Sequence, residues 1–311
     1  MKLLASYRSL AAALILLSVA IAPALLTPAT ANEPAKANSK PSKLKNRKPD
    51  QPLIVAAVSC RSTIREVNEN LDRIEHWARE AAKQNADIAL FPESGITAWW
   101  QSRENRKYAQ PVDGPAIKRI AKLAKELDMI LAVGLTELDG KSAYITHVIV
   151  GPEGVIGTHR KSSLAGGKDN GESRTWEQGN DANVFDLLGY KVGVAICFES
   201  VHPETCAKLR DKGAEIILAP YANGTKPSEI TDAERKERSW VWKRVDENKV
   251  WYIACDGAPR NEKGERSGGA AYVIDPTGKL VTISPNEGPG EAMVVVNVTR
   301  DSIVPASGKA K

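Results

Sequence analysis

The sequence has no two cysteines spaced two residues apart and no zinc-ligand pattern. Its four cysteines, Cys60, Cys197, Cys206 and Cys255, follow one another at intervals of 137, 9 and 49 residues, which excludes a zinc ribbon and a dithiol redox motif. Repeats at the periods of solenoid proteins are missing too. Past its N-terminus the chain lacks the apolar runs of a multi-spanning membrane protein. Positive charge is likewise absent where it would count. Of the net +5, the first 31 residues carry +2 and residues 32–50 carry +4, which leaves about −1 on residues 51–311. The body of the protein therefore offers no basic surface for nucleic acid.

What is present begins with an export-type leader. "MKLLASYRSLAAALILLSVAIAPALLTPATA" places Lys2 and Arg8 before an apolar run and closes on Ala29, Thr30 and Ala31, the layout of a secretory signal peptide cleaved after Ala31. The competing reading is an uncleaved anchor over Leu10 to Leu26, which Pro23 and Pro28 oppose by breaking the helix where a span would continue. Residues 32–50 are Pro, Lys, Ser and Asn with little to bury, and read as a disordered basic linker. An exported chain, periplasmic or extracellular, with no stable membrane insertion after cleavage is expected. With 42% hydrophobic residues in 311, the rest can bury one large core. It reads as a single α/β domain over residues 51–300, followed by a tail at 301–311.

Within that domain short apolar runs alternate with amphipathic patterns. "LIVAAV" (Leu53 to Val58) and "DIALF" (Asp87 to Phe91) read as strands. Between them Ile64, Val67, Leu71, Ile74, Ala78 and Ala81 recur at helical spacing. Pro115 opens a second helix burying Ile117, Ile120, Leu123 and Leu127. "MILAVGL", "AYITHVIV" and "VIGTHRK" follow as strands, the last two joined by the turn "GPEG". The second half repeats the rhythm through "NVFDLL", "KVGVAIC", a helix ending at Gly213, "EIILAP", a charged helix around "DAERKERSWVWKRVDENK", "VWYIACDG", and three closing strands. Helices separate some strands and hairpins join others, so the sheets are mixed.

Three strand ends finish in a reactive side chain: "IALFPES" in Glu93, "GTHRKSS" in Lys161 and "GVAICFES" in Cys197. Each alone has a bland reading, as a solvated turn residue or a core thiol. Together they suit acyl chemistry. A thiol needs a base to become a nucleophile, and Glu93 can take its proton. The oxyanion formed on attack needs fixed positive charge and N–H donors, which Lys161 and the backbone of Phe198 can provide.

The set "FPE", "HRK" and "GVAICFE", in that order, resembles the nitrilase or carbon–nitrogen hydrolase superfamily. "DKGAEIILAP" and "KRVDENKVWYIAC" match it as well, the latter through Arg244, Glu247 and Asn248. The likeness runs from about Leu53 to Val298. It implies a four-layer αββα sandwich, assembly as a homodimer or higher homo-oligomer, and a small-molecule substrate; no metal or organic cofactor is required. It also implies a second glutamate on the loop after the lysine. Counted back from Gly179, that is Glu172, which would orient Lys161 and the attacking water, while Glu177 reads as a solvated loop acid. After the thiol stand Phe198, Glu199 and Ser200, where nitrilases usually carry Trp, Glu and Asn or His, and this departure favours amide or N-carbamoyl substrates over nitriles. Trp99, Trp100, Trp176, Tyr221 and Asn223 are candidate pocket residues alongside Phe198.

Two other classes are open to test. A papain-like protease would pair Cys197 with a histidine, but His202, five residues on, is not how such sites are built, and His76, His147 and His159 lack the context. A non-catalytic binding protein on the same scaffold would be expected to have lost Glu93, Lys161 or Cys197. Cys60 and Cys255 read as core thiols and Cys206 as a helix residue.

Overall fold

The computed structural model describes residues 42–48, 51–166, 171–180, 182–222, 239–258, 269–284 and 290–302, all within one compact unit, 41–311. The leader, most of the linker, Asn223 and the end of the tail lie outside the described residues. No helix among the described residues is long and apolar enough to cross a membrane.

Among the described residues twelve strands form two six-stranded sheets. In chain order the elements are β1 (Leu53–Ser59), α1 (Val67–Lys83), β2 (Ile88–Leu90), α2 (Pro115–Leu127), β3 (Ile130–Asp139), β4 (Ser142–Gly151), β5 (Gly154–Arg160), β6 (Val184–Leu187), β7 (Tyr190–Val194), α3 (Pro203–Asp211), β8 (Ile216–Pro220), α4 (Trp240–Asn248), β9 (Trp251–Cys255), β10 (Ala271–Ile274), β11 (Leu280–Ile283) and β12 (Ala292–Val298). The sheets run β12-β1-β2-β3-β4-β5 and β11-β10-β9-β8-β7-β6. Each has a parallel centre, β1-β2-β3 in one and β7-β8-β9 in the other, flanked by antiparallel strands. The expected mixed sheets are therefore present, with the same pairing pattern in both halves.

Three apolar cores define four layers. On β1, Leu53, Val55 and Ala57 face the other sheet, while Ala56 and Val58 face α1 and α2. On β9, Trp251 and Ile253 point inward between the sheets, while Tyr252 and Ala254 meet α3 and α4. Burial on both faces is why these strands read as continuous apolar runs and not as alternation. The outer helices are amphipathic to match. α1 buries Leu71, Ile74, Ala78 and Ala81, and α2 buries Ile117, Ile120, Leu123 and Ala124. The αββα sandwich follows from these three interfaces.

Two local expectations differ. The first helix starts at Val67, not Ile64, because Arg65 takes a left-handed φ of 70° and the buried Asn70 side chain accepts from Thr63 N–H at 2.7 Å and donates to Ile96 O at 3.0 Å. Within the stretch read as linker, residues 42–48 form a turn tied to the domain. Asp128 accepts from Ser42 Oγ at 2.8 Å and from the Lys43 and Leu44 N–H groups, and Arg47 donates to Leu188 O at 2.9 Å. Composition reported the solubility of this segment and missed its few specific partners.

Candidate active site

Glu93 stands just beyond β2, on a loop that turns through Ser94 at φ 53°. The loop rests directly on β3. A Cβ at Gly134 would lie 2.5 Å from Ser94 N and 2.6 Å from Pro92 O, so only glycine admits this approach. The Glu93 N–H donates to Tyr221 O at 3.2 Å, at the end of β8 in the other sheet. Lys161 is the first residue past β5 and is pinned on both sides of its backbone. Its N–H donates to Ile145 O, and its carbonyl accepts from Gly179 N, both at 2.8 Å. A Cβ at Gly179 would lie 2.4 Å from Arg160 O.

The side chains meet inside the sandwich. Lys161 is fully buried, with Nζ 2.7 Å from Glu93 Oε1 and 2.9 Å from Glu172 Oε1. Glu172, on the 3₁₀ turn Gly171–Arg174, is fixed in turn by the Ala165 N–H, 2.8 Å from Oε2, and by Trp99 Nε1, 2.9 Å from Oε1. The structure thus brings Glu93, Lys161 and Glu172 into one hydrogen-bonded cluster, with Lys161 shared between two carboxylates.

Cys197 opens the 3₁₀ turn Cys197–Val201 beyond β7. It does not continue the strand: its φ is 47°, a left-handed conformation that costs an L-residue roughly 1–2 kcal/mol. The turn is therefore held from outside. Ser200 Oγ accepts from the Tyr221 hydroxyl at 3.1 Å and the Tyr252 hydroxyl at 2.8 Å. Arg244 on α4 donates to Val201 O at 3.1 Å and pairs with Glu247, and Asn248 Nδ2 donates to Arg244 O. This gives the Arg-x-x-Glu-Asn segment a physical job, which is to brace the end of the turn that Cys197 opens.

Electrostatics separate Glu93, Lys161 and Cys197. Burial pushes the Glu93 carboxyl up, the Lys161 ammonium pulls it part of the way back, and it settles at about 7. Burial lowers the Lys161 ammonium, but the charges of Glu93, Cys197 and Glu172 more than compensate, and it is held above the ordinary lysine value. Burial and then Glu93 push the Cys197 thiol well up against the opposing pull of Lys161. At rest the site therefore holds a charged lysine, a neutral thiol and a carboxylate poised near neutrality. The neighbouring Cys197 thiol favours the charged form of the Glu93 carboxyl, whose buried Oε2 has no hydrogen-bond partner among the described residues. The other three cysteines are buried, whereas Cys197 is half-buried. Burial pushes the Cys206 thiol up to about 12 and raises those of Cys60 and Cys255.

Of the pocket candidates, Phe198 is half-buried and edge-on to His202 at 5.0 Å. Trp99 is half-buried beside Glu172 and stacks on Trp176 at 6.2 Å. Trp176 itself is 2% exposed and packs between the sheets, and Tyr221 is 3% exposed with its hydroxyl committed to Ser200 and Tyr252. These two support the site from behind. Trp100 lies farther along the loop under Arg65, 4.7 Å from the ring centre. Sequence reasoning missed Tyr252, Ser200 and the bracing role of Arg244, since nothing in a strand such as "VWYIAC" marks one hydroxyl as facing a distant turn. Among the described residues no group of three or more His, Cys, Asp or Glu side chains is arranged to hold a metal ion.

Known proteins resemble the chain in sequence and in fold. The profile of the family Carbon-nitrogen hydrolase matches residues 54–306. A nitrilase from Pyrococcus abyssi is 30% identical over 240 residues, covering 74% of this chain and 84% of its own length. An N-carbamoylputrescine amidase from Oryza sativa is 30% identical over 248 residues, covering 74% of this chain and 81% of its own. The fold resembles that of Saccharomyces cerevisiae Nit3, a member of branch 10 of the nitrilase superfamily, with a TM-score of 0.69 at 24% identity over 83% of this chain and 96% of that one. It also resembles an amidase from Nesterenkonia sp., with a TM-score of 0.67 at 19% identity over 81% and 92% of the two chains.

Proposed function

The chain belongs to the carbon–nitrogen hydrolase family, and from that premise and the geometry of its site we propose that it is an exported thiol hydrolase of amide or N-carbamoyl small molecules. The observation that carries the reading is the placement of Lys161 Nζ between Glu93 Oε1 at 2.7 Å and Glu172 Oε1 at 2.9 Å, with Cys197 close enough to affect both Glu93 and Lys161.

The reaction follows from these charges. As Cys197 Sγ bonds to the amide carbon, its proton passes to the Glu93 carboxylate, so no free thiolate is needed beforehand. The carbonyl oxygen becomes an oxyanion stabilised by the Lys161 ammonium and the Phe198 N–H. The C–N bond breaks as the nitrogen takes the proton held on Glu93, and ammonia or an amine departs. That leaves an acyl or carbamoyl thioester on Cys197. Glu93, again ionised, draws a proton from water as its oxygen attacks the thioester. The C–S bond breaks, the acid or carbamate is released, and Sγ recovers the proton. Glu172 keeps Lys161 in place through both halves.

Phe198 and Ser200 after the thiol support amides over nitriles, and the amidase among the relatives is in keeping with that. The leader-like first 31 residues support export. A homodimer or larger homo-oligomer is proposed on the family's habit of assembly. Ammonia release by the purified mature protein from a panel of simple amides, N-carbamoyl compounds and nitriles tests the reading. Amides or carbamoyl compounds should turn over at least about tenfold faster than nitriles, the scale of discrimination expected from one pocket contact. A preference for nitriles would overturn the substrate class.

A further inference from the structure

Behind the reacting groups lies a buried carboxylate to which the mechanism gives no step. Glu199, two residues past the thiol, is fully buried, yet its charge is retained. Burial pushes its carboxyl up, but the His159 ring and the bonds from Ser162 outweigh that, and its pKa lies below the ordinary glutamate value. A buried charge is costly unless its oxygens are fully bonded. Here they are. Oε1 accepts from Ser162 N–H at 2.7 Å and from Ser162 Oγ at 2.5 Å. Oε2 accepts from Ile196 N–H at 2.6 Å and lies 2.8 Å from His159 Nε2.

The identity of these partners gives the cluster its meaning. His159 and Ser162 flank Lys161 at the end of β5 in one sheet. Ile196 and Glu199 flank Cys197 beyond β7 in the other. One carboxylate therefore ties the backbone beside the lysine to the backbone beside the thiol, across the seam between the sheets. Apolar packing between sheets is non-directional and sets a separation near 10 Å without fixing register. The bond from Ile196 N–H also secures the entry to the left-handed turn at Cys197. Neighbouring groups do not compete for His159. His147, its cross-strand partner on β4, is kept neutral by burial, its pKa lowered to about 3, and His159 Nδ1 has no hydrogen-bond partner among the described residues. Among those residues Nε2 is thus the ring's single polar tie, and Glu199 sets its orientation.

We propose that Glu199, with His159, is a positioning residue that fixes the Lys161 strand end against the Cys197 turn. The proposal rests on the reading of Cys197 and Lys161 as reacting groups. It predicts that loss of the clamp lowers reactivity while the fold persists.

The test reads Cys197 directly. Folded wild-type protein, Glu199→Gln, His159→Gln and His159→Phe are treated with iodoacetamide at fixed pH, and alkylation of Cys197 is followed by peptide mass. Glu199→Gln keeps the volume but sets an amide against the Ile196 or His159 donor. His159→Gln retains a side-chain N–H for Glu199, and His159→Phe does not. Glu199→Gln and His159→Phe should slow alkylation at least about tenfold, as misplacement of a reacting group does, while His159→Gln keeps more than half of the wild-type rate. With an amide that the wild type hydrolyses, the loss should fall on kcat and leave KM unchanged. Wild-type alkylation in Glu199→Gln, or equal losses in His159→Gln and His159→Phe, would overturn the proposal. If Glu199→Gln does not fold, Ser162→Ala takes its place, since it removes one hydroxyl bond and keeps the backbone bond. A several-fold loss then supports the clamp, and an unchanged rate refutes it. Alkylation needs no substrate, so a protein that hydrolyses nothing in the amide panel would sink the functional reading while this series still judged the clamp.

Discussion

In the proposed mechanism Glu93 sets the pH range in which the site can work. Its carboxyl is raised by burial to about 7, and it must be ionised to take the thiol proton. kcat/KM should therefore be full above neutrality and fall as pH drops through about 7, with the carboxylate progressively protonated. A pH profile on any turned-over amide checks this; a rate flat down to pH 5 would remove Glu93 from the base role. Glu93→Gln and Lys161→Ala should each lower kcat by at least about a hundredfold, the scale of losing a general base or an oxyanion partner. Cys197→Ala should abolish turnover. Cys60→Ala, Cys206→Ala and Cys255→Ala remove buried thiols and should cost stability only, so equal loss of activity from Cys206→Ala would contradict the assignment of the nucleophile.

At the level of elements, the turn at 42–48 makes a separate prediction. Arg47 donates to Leu188 O, lies 3.5 Å from the Asp87 carboxylate and sits 5.8 Å over the Tyr190 ring. None of these partners touches the cluster around Lys161. Arg47→Ala should lower unfolding stability in urea by about 1–2 kcal/mol and leave kcat unchanged. Much else at this scale was legible in the sequence. Strands buried on both faces announce themselves as apolar runs, and "LIVAAV", "AYITHVIV" and "EIILAP" fall within a residue or two of β1, β4 and β8. The three strand ends that carry Glu93, Lys161 and Cys197 were visible for the same reason, as reactive residues where an apolar run stops. What stayed hidden depends on contacts between distant segments. "KVGVAIC" reads as strand to its end, but β7 stops at Val194 and Cys197 turns left-handed because Glu199, Ser200 and Arg244 hold it there. The start of α1 moved to Val67 because Asn70 bonds back to Thr63. Tyr221 and Trp176 read as pocket aromatics; in the structure the Tyr221 hydroxyl donates to Ser200 Oγ and the Trp176 indole N–H donates to Thr136 Oγ1 at 3.3 Å, both inside the protein.

For the whole molecule, the sandwich explains why residues from both halves of the chain are needed, since Glu93 and Lys161 come from one sheet and Cys197 from the other. Neither half contains a complete site. On the proposed export, the chain should begin near Asn32, and intact Met1 on protein from the cell envelope would show a tethered form instead; N-terminal mass decides between them. Light scattering on the mature protein should give a dimer or larger assembly. The account stands or falls on covalent chemistry at one sulfur. The most direct measurement is the intact mass of the mature protein, quenched in acid within the first turnovers on an amide or N-carbamoyl substrate, followed by mapping of the modified peptide. The account predicts a mass increase equal to the acyl or carbamoyl group, located on Cys197 and absent in Cys197→Ala. Turnover of the same substrate with no adduct at Cys197, or with the adduct on another cysteine, would contradict it.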